Sequence, residues 1–167
     1  MEVPWTFYTA LYAPDTGSGD GAYAAVNGED LSVPEKERPA LRALARELGL
    51  ASLAPQAALQ RVKSHLAQFK YTTVRDHPFS NFLPGSETPL AEFLNTSREG
   101  HCEYFATAAT LLLRTAGIPA RYATGFAIGD WSSWEQAWIV RERHSHAWTR
   151  AFVEGRWVDL DTTPLEL

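Results

Sequence analysis

The hydrophobic period of this chain changes once, from 3.6 residues to 2 residues, and this change constrains the fold more than any other feature. Apolar residues recur at helical spacing before the tripeptide Gly117-Ile118-Pro119, and they alternate with polar residues after it. The tripeptide itself predicts a helix end, because glycine adopts the left-handed C′ conformation and proline cannot continue a helix. The pattern therefore predicts an α+β fold, with N-terminal helices packed on a C-terminal antiparallel sheet.

Four helices are predicted before this boundary, each from the spacing of its apolar residues and from its terminal signals. The fourth runs from about Gly100 to Ala116 and is apolar nearly all round, so we expect it to be buried. The first helix has the apolar face Leu41, Leu44, Ala45 and Leu48 and ends at Gly49. The second begins at Pro55 and has the apolar face Leu59, Val62, Leu66 and Phe69. The third is short, begins at Thr88-Pro89, and carries Leu90, Phe93 and Leu94.

Strands are predicted after the boundary, where short turns separate segments of alternating polarity. Glu154-Gly155 suits a tight hairpin between the last two strands. Another strand is predicted within an N-terminal strand and loop region at residues 1–34. The predicted strands are Trp5–Tyr12, Arg121–Ile128, Glu135–Val140, His146–Val153 and Arg156–Leu160, and the predicted loops are Asp15–Gly21 and Tyr71–Ser86.

Length and composition indicate a single soluble domain over residues 1–167. The chain is 45% apolar and 21% charged, which suffices for a sizeable core. Its net charge of −5 and its lack of a basic stripe argue against nucleic-acid binding. No apolar run reaches the ~18 residues that a membrane span needs, and the N-terminus does not resemble a signal peptide. The chain stops soon after Pro164, so we expect it to be a soluble piece of a larger protein.

The single cysteine, Cys102, lies at the start of the buried helix, directly after Gly100-His101. A lone cysteine cannot form an intrachain disulfide, and it is most often a small buried hydrophobe. At a helix N-terminus, however, the positive end of the helix dipole and the unpaired N–H groups favour a thiolate. This position makes Cys102 a candidate nucleophile.

Two downstream residues complete a candidate catalytic set. His146 begins one predicted strand and Asp161 follows the next, so the Glu154-Gly155 turn is expected to bring them side by side. An imidazole beside a thiol stabilises the thiolate and later protonates a leaving amine, and a carboxylate fixes the imidazole tautomer. The chain order Cys102, His146, Asp161 therefore predicts acyl transfer through a thioester, which needs no metal or organic cofactor.

Three alternatives lie beside these residues. Asp159 precedes Asp161 by two positions and shares its strand face, so it could replace Asp161 as the orienting acid. His144 and His146 would also share a face and could bind zinc with Cys102 or Asp161. His101 adjoins Cys102, but its position on the helix suits gating or solvation better than base catalysis.

Tryptophans cluster in the sheet half of the chain. Core packing is expected for most of them, while one or two are expected to wall a cleft and exclude water from the thioester. They are Trp131, Trp134, Trp138, Trp148 and Trp157.

Several motifs together resemble the transglutaminase-like superfamily, and the resemblance covers about residues 55–164. The segments Phe69–Thr72 and Pro89–Leu94 resemble those that precede the cysteine in bacterial members. The other matching blocks are Gly100–Ala106, Leu113–Arg121 with Thr124-Gly125-Phe126, His146-Ala147-Trp148 and Trp157–Pro164.

The resemblance implies a papain-like α+β fold with Cys102 as nucleophile, His146 as base and Asp161 as orienting acid. It selects Asp161 over Asp159 by the match to an Asp-Pro-Thr-Pro block. Bacterial members of this kind are often extracytoplasmic domains of multi-span membrane proteins. We therefore expect a periplasmic or cell-surface domain, a membrane-anchored parent protein, and a protein or peptide substrate.

Two departures from the family pattern stand out. Thr162 occupies the position of the first proline in Asp-Pro-Thr-Pro, and Thr149-Arg150 replaces the Val-Glu that often follows His-Ala-Trp. The expected function is cysteine-dependent acyl transfer on protein or peptide amides, with hydrolysis and transamidation both open. A cysteine protease of the same fold is one alternative. A non-catalytic peptide-binding module and a zinc-binding domain are the others.

Overall fold

The structure is a computed structural model that describes residues 25–73 and 87–164. The strand predicted at Trp5–Tyr12 and the loop predicted at Asp15–Gly21 lie outside the described residues, as does most of the loop predicted from Tyr71 to Ser86. The helices are α1 (Arg38–Glu47), α2 (Pro55–Leu66), α3 (Pro89–Glu92) and α4 (Cys102–Thr115). The strands are β1 (Lys70–Tyr71), β2 (Glu99–Gly100), β3 (Ala120–Phe126), β4 (Asp130–Ser132), β5 (Ala137–Ile139), β6 (Ser145–Val153) and β7 (Arg156–Leu160).

Helices α1 and α2 form close to where the sequence predicts them. In α1, Leu41, Leu44 and Ala45 are buried, while Leu48 lies just past the helix end and is partly buried. Gly49 then adopts a φ of 65°, the left-handed conformation that glycine tolerates best. The predicted face of α2 differs at one residue. Phe69 lies beyond the helix end at Leu66 and reaches the core from the following turn.

Helix α4 forms the centre of the core. Nine of its residues are buried, which confirms the prediction of a buried helix. Its end is a Schellman motif: Ile118 N–H donates to the Leu113 carbonyl at 2.9 Å, and Gly117 N–H donates to the Arg114 carbonyl at 3.0 Å. Gly117 has a φ of 81°, so the predicted helix stop is formed by the predicted residues.

The main sheet has the strand order β3-β6-β7, with antiparallel pairing throughout. The turn from β6 to β7 places both Glu154 (φ 52°) and Gly155 (φ 80°) in the left-handed region, as a tight hairpin requires. Alternate residues of β6 are buried, and this strand packs on α4. Helices followed by an antiparallel sheet confirm the predicted α+β class.

A second hairpin, β4-β5, corrects part of the strand prediction. Strand β3 ends at Phe126, the strand predicted at Glu135–Val140 is only Ala137–Ile139, and β4 was not predicted. The expected core packing is wrong for the hairpin tryptophans: Trp131, Trp134 and Trp138 are 50%, 96% and 58% exposed. Alternation shows that a segment is extended, but nothing in the described residues covers this two-stranded hairpin.

The segment before α4, from Thr88 to Gly100, sets the position at which the helix begins. Thr88 caps α3 by accepting the Ala91 N–H, as its sequence predicts, and a π turn at Phe93–Ser97 follows. Arg98 then adopts a φ of 50°, and β2 pairs in parallel with β1. This pairing holds the residues just before Cys102 against the short strand that follows α2.

Candidate active site

Gly100 lets the chain approach α4 closely. A Cβ atom at this position would lie 3.2 Å from Tyr104 Cβ and 3.3 Å from the ring of Phe93, and both are buried. Contacts that short force their neighbours to shift. The close packing of Tyr104 and Phe93 against the backbone therefore explains why a glycine occupies position 100, two residues before Cys102.

Cys102 is the first residue of α4, and the N-terminus of this helix has no side-chain cap. His101 is the N-cap residue, with an extended backbone and no capping hydrogen bond from its side chain. Its ring instead packs edge-on against the Tyr104 ring, with the ring centroids 5.1 Å apart, and its Nδ1 lies 3.7 Å from Glu103 Oε2. The side chain of His101 therefore does not cap the first amide groups of the helix.

Cys102 is half-buried, and its helix packs against strand β3. The pKa of Tyr122 on that strand is raised by burial and, to a lesser degree, by the nearby acidic groups of Glu103 and Cys102. Tyr122 is therefore within electrostatic range of the thiol, and its place near the helix tip was not predicted from the sequence. Among residues 25–73 and 87–164, no hydrogen bond joins Cys102 to His146. Bonds of this kind often tighten only when a substrate is bound.

The structure brings His146 and Asp161 together. His146 Nε2 lies 2.7 Å from Asp161 Oδ2, with His146 near the start of β6 and Asp161 directly after β7. The other carboxylate oxygen, Oδ1, accepts the Thr163 N–H at 2.9 Å. Both oxygens of Asp161 are therefore oriented, and Nδ1 is the imidazole nitrogen that this carboxylate leaves available.

Asp159 has different partners. Its Oδ1 accepts hydrogen bonds from Trp148 Nε1 at 3.2 Å and from Arg150 Nε at 3.0 Å. Both donors lie on the neighbouring strand β6, whereas the imidazole of His146 is bonded to Asp161. The geometry thus separates two acids that alternation along the strand could not distinguish.

The expectation that His144 and His146 share one face of a strand is wrong. His144 ends a 3-10 turn at Glu142–His144; its Nδ1 accepts the Arg141 N–H at 3.1 Å, and its Nε2 lies 3.4 Å from Asp130 Oδ2. The hydrogen bond to the backbone favours a turn over an extended strand at this position. Within the described ranges, no group of three or more His, Cys, Asp and Glu residues is arranged to hold a metal ion.

Trp148 stacks on His146, with ring centroids 6.2 Å apart and ring planes 16° from parallel. Gly125 pairs with His146 across the strands, and a Cβ atom on Gly125 would lie 3.0 Å from the Trp148 ring. The sequence placed Trp148 only among five tryptophans. The structure distinguishes it as the aromatic ring that contacts the imidazole.

Two buried threonines that the sequence did not mark as functional contact α4. Thr149 Oγ1 donates to the Ala106 carbonyl at 3.0 Å, and Thr162 Oγ1 donates to the Phe105 carbonyl at 3.3 Å. Thr149 Oγ1 also lies 3.0 Å from Thr110 Oγ1. The signal for Thr149 was its place among the inward-facing residues of β6, where an apolar side chain is the usual choice.

A family model for the transglutaminase-like superfamily matches residues 40–162. The chain belongs to the transglutaminase-like superfamily. Over 138 residues it is 33% identical to a protein-glutamine gamma-glutamyltransferase of Pseudomonas aeruginosa, a match that covers 80% of this chain and 20% of that protein. The chain thus spans about a fifth of the length of this curated relative.

Solved structures of similar fold include the periplasmic domain of TgpA from Pseudomonas aeruginosa bound to ethylmercury. This match has a TM-score of 0.71 at 28% identity and covers 84% of this chain and 51% of that chain. A candidate cysteine protease from Cytophaga hutchinsonii has a TM-score of 0.58 at 20% identity, with 85% of this chain and 44% of that chain covered. These matches confirm the papain-like fold expected from the sequence motifs.

The helices in the described residues are all too short or too polar to cross a lipid bilayer.

Proposed function

We propose that this protein is a cysteine acyltransferase that acts on glutamine side chains of protein substrates. Cys102 is the nucleophile, His146 the general base and acid, and Asp161 the residue that orients His146. The observation that carries the proposal is the 2.7 Å contact between His146 Nε2 and Asp161 Oδ2. The rival acid Asp159 is bonded to Trp148 and Arg150 instead, which supports Asp161 in this role.

The proposed reaction has two halves. The Cys102 sulfur attacks the carboxamide carbon of the substrate, the C–N bond breaks, and the nitrogen leaves as ammonia with a proton from His146. A primary amine or water then attacks the thioester carbon and gives a proton to His146. The C–S bond breaks, and the thiolate is restored with a new amide or a carboxylic acid as product.

The hydrogen bond to Asp161 defines what each imidazole nitrogen does. A carboxylate only accepts hydrogen bonds, so it favours the tautomer that carries the proton on Nε2. The remaining nitrogen, Nδ1, then has a free lone pair to take the thiol proton. Asp161 also stabilises the imidazolium that forms after this transfer.

The uncapped tip of α4 supports a role in transition-state stabilisation. The tetrahedral intermediate carries a negative oxygen, which needs hydrogen-bond donors in fixed positions. The backbone N–H of Cys102, the first residue of the helix, is assigned as one such donor, and the side chain of His101 makes no capping bond that would compete at this end of α4. The positive end of the helix dipole adds favourable electrostatics at the same point.

The name of the Pseudomonas aeruginosa relative, a protein-glutamine gamma-glutamyltransferase, supports glutamine side chains as the acyl donors. The same name supports transfer to an amine over hydrolysis, and Trp148, whose ring stacks on His146, supplies an apolar surface beside the imidazole. We extend the periplasmic location of the TgpA domain to this chain, as a domain of a membrane-anchored parent protein.

Two assays on the purified protein test the proposal. In the first, a fluorescent primary amine is incubated with casein, and incorporation, ammonia release and casein cleavage are followed together. Incorporation with ammonia release, lost in Cys102→Ala and in His146→Ala, is the expected result. Cleavage without incorporation would make the protein a protease instead.

The second assay measures alkylation of the only cysteine by iodoacetamide between pH 5 and 9. The His146→Ala variant should react much more slowly than wild type below pH 8, because it lacks the imidazole that accepts the thiol proton. Equal rates in the two proteins would refute the thiolate–imidazole pair. Stoichiometric zinc in the purified protein, or peptide binding that survives Cys102→Ala without any turnover, would favour the two non-catalytic alternatives.

A further inference from the structure

Two elements that carry proposed catalytic groups are tied to α4 by threonine hydroxyls. Thr149 lies on β6, three residues after His146, and Thr162 directly follows Asp161. The two hydroxyls donate to adjacent carbonyls of α4, those of Ala106 and Phe105. These carbonyls belong to the turn of α4 that follows Cys102, about 5 Å along the helix axis from the cysteine.

We propose that the hydroxyls of Thr149 and Thr162 are positioning groups that set the place of His146 and Asp161 relative to the Cys102 thiol. The proposal rests on the proposed function, because it concerns how the same three residues are aligned. Each hydrogen bond joins separate elements of the fold, so each one limits how far the base or the acid can move from the helix tip.

Thr149 and Thr162 are both buried, and this burial indicates that their hydroxyls serve to form hydrogen bonds. Thr149 is 0% exposed and Thr162 is 3% exposed. A valine would fill nearly the same volume at either position without the cost of burying a hydroxyl. The helix carbonyls can accept a second hydrogen bond in addition to their own helix bond, because each oxygen has two lone pairs. At both Thr149 and Thr162, a hydrogen bond to an α4 carbonyl therefore stands where an apolar contact would have sufficed for packing.

Thr110 of α4 adds a second hydrogen bond at Thr149. A hydroxyl has one proton, and that of Thr149 is donated to the Ala106 carbonyl. The 3.0 Å contact with Thr110 Oγ1 is therefore one in which Thr110 donates and Thr149 accepts. Strand β6 is thus held to α4 at two successive turns, which prevents the strand from sliding along the helix.

The two threonines act on the proposed catalytic groups at different distances along the chain. At Thr162 the consequence is most direct, because the residue that bonds to the helix is the neighbour of the residue that bonds to His146. Loss of the Thr162 hydrogen bond frees Asp161 to move. Loss of the Thr149 hydrogen bonds frees the strand that carries His146.

The test uses Thr149→Val and Thr162→Val, with Thr→Ser at each position to restore the hydroxyl. The matched control is Thr115→Val, since Thr115 Oγ1 donates to the Leu111 carbonyl of the same helix at 2.7 Å, at the end remote from Cys102. Alanine replaces valine wherever the valine variant does not fold. The readouts are kcat and KM for amine incorporation, the pH profile of Cys102 alkylation, and the melting temperature.

The expected result is a fall in kcat of roughly tenfold to hundredfold in each of the two valine variants, with KM changed less than about twofold. Their alkylation profiles should shift toward that of His146→Ala, and the serine variants should recover most of the loss. Thr115→Val should retain the wild-type kcat and profile even where its melting temperature falls.

Wild-type kcat and alkylation in folded Thr149→Val and Thr162→Val would overturn the proposal, whatever their melting temperatures, because the hydroxyls would then serve stability alone. Failure of serine to restore activity would overturn it as well. These outcomes differ from failure of the proposed function, in which His146→Ala itself alkylates like the wild type and both proposals fall.

Discussion

The substitution Asp161→Asn tests the proposed catalytic set most stringently, because the two oxygens of Asp161 have different partners. Oδ2 faces His146 Nε2 at 2.7 Å, and Oδ1 accepts the Thr163 N–H at 2.9 Å. An asparagine that keeps its oxygen on Thr163 must place its NH₂ group against His146. That group can only donate, so the imidazole proton moves to Nδ1, the nitrogen that has to receive the thiol proton.

The opposite orientation of the asparagine also has a cost. Its oxygen would then face His146 and keep the tautomer, but its NH₂ group would oppose the Thr163 N–H. A lost hydrogen bond of this kind costs about 1 to 2 kcal/mol, and loss of the charged acceptor for His146 costs a further 1.5 to 3 kcal/mol or so. The sum, roughly 3 to 5 kcal/mol, corresponds to a decrease in kcat of about 10²- to 10⁴-fold.

The assay is the initial rate of amine incorporation at saturating substrate and pH 7, with Cys102 alkylation as a second readout that needs no substrate. Asp159→Asn is the matched control, because Asp159 lies two residues away and bonds to Trp148 and Arg150. The control should stay within about threefold of the wild type. An Asp161→Asn variant that also stays within about fivefold would refute the argument from the imidazole tautomer.

Three further predictions concern stability and packing. Asp30→Asn should lower the free energy of unfolding by about 2 kcal/mol at pH 7, because it removes the two-point ion pair with Arg121 at 2.8 and 3.0 Å. Arg121 lowers the pKa of Asp30, so urea midpoints should show this difference above pH 3.8 and lose it as the pH falls through the lowered pKa. Burial lowers the pKa of His65 from 6.5, so stability should fall as the pH drops below 6.5, and this slope should be smaller in His65→Gln. Gly125→Ala should displace the Trp148 ring and reduce alkylation and turnover at nearly unchanged melting temperature; retention of full activity would show that the ring position does not matter.

Local signals in the sequence were enough to predict much of the fold. The helix stop at Gly117 and the hairpin turn at Gly155 require left-handed backbone, and glycine supplies it wherever the rest of the chain lies. The apolar character of the segment after Cys102 required a buried helix with the cysteine at its tip. These features depend on neighbouring residues, so a reader of the sequence alone could predict them.

The choice between neighbouring residues of equal character depended on contacts between distant segments. Two acids on one strand face look alike in sequence, and only the offset of β6 against β7 brings Asp161, and not Asp159, to His146. The turn at His144, by contrast, is stabilised locally, because the His144 Nδ1 accepts the N–H of Arg141, three residues earlier.

Because helix ends and turns are set by local backbone preferences, the sequence by itself determined that a buried helix begins close to Cys102, although the predicted start at about Gly100 lies two residues early. Only the tertiary structure decided which acid meets His146 and which threonines reach α4. Those pairings join residues that are 15 to 57 positions apart in the chain. Packing across the sheet and helix sets such distances, and no local pattern encodes them.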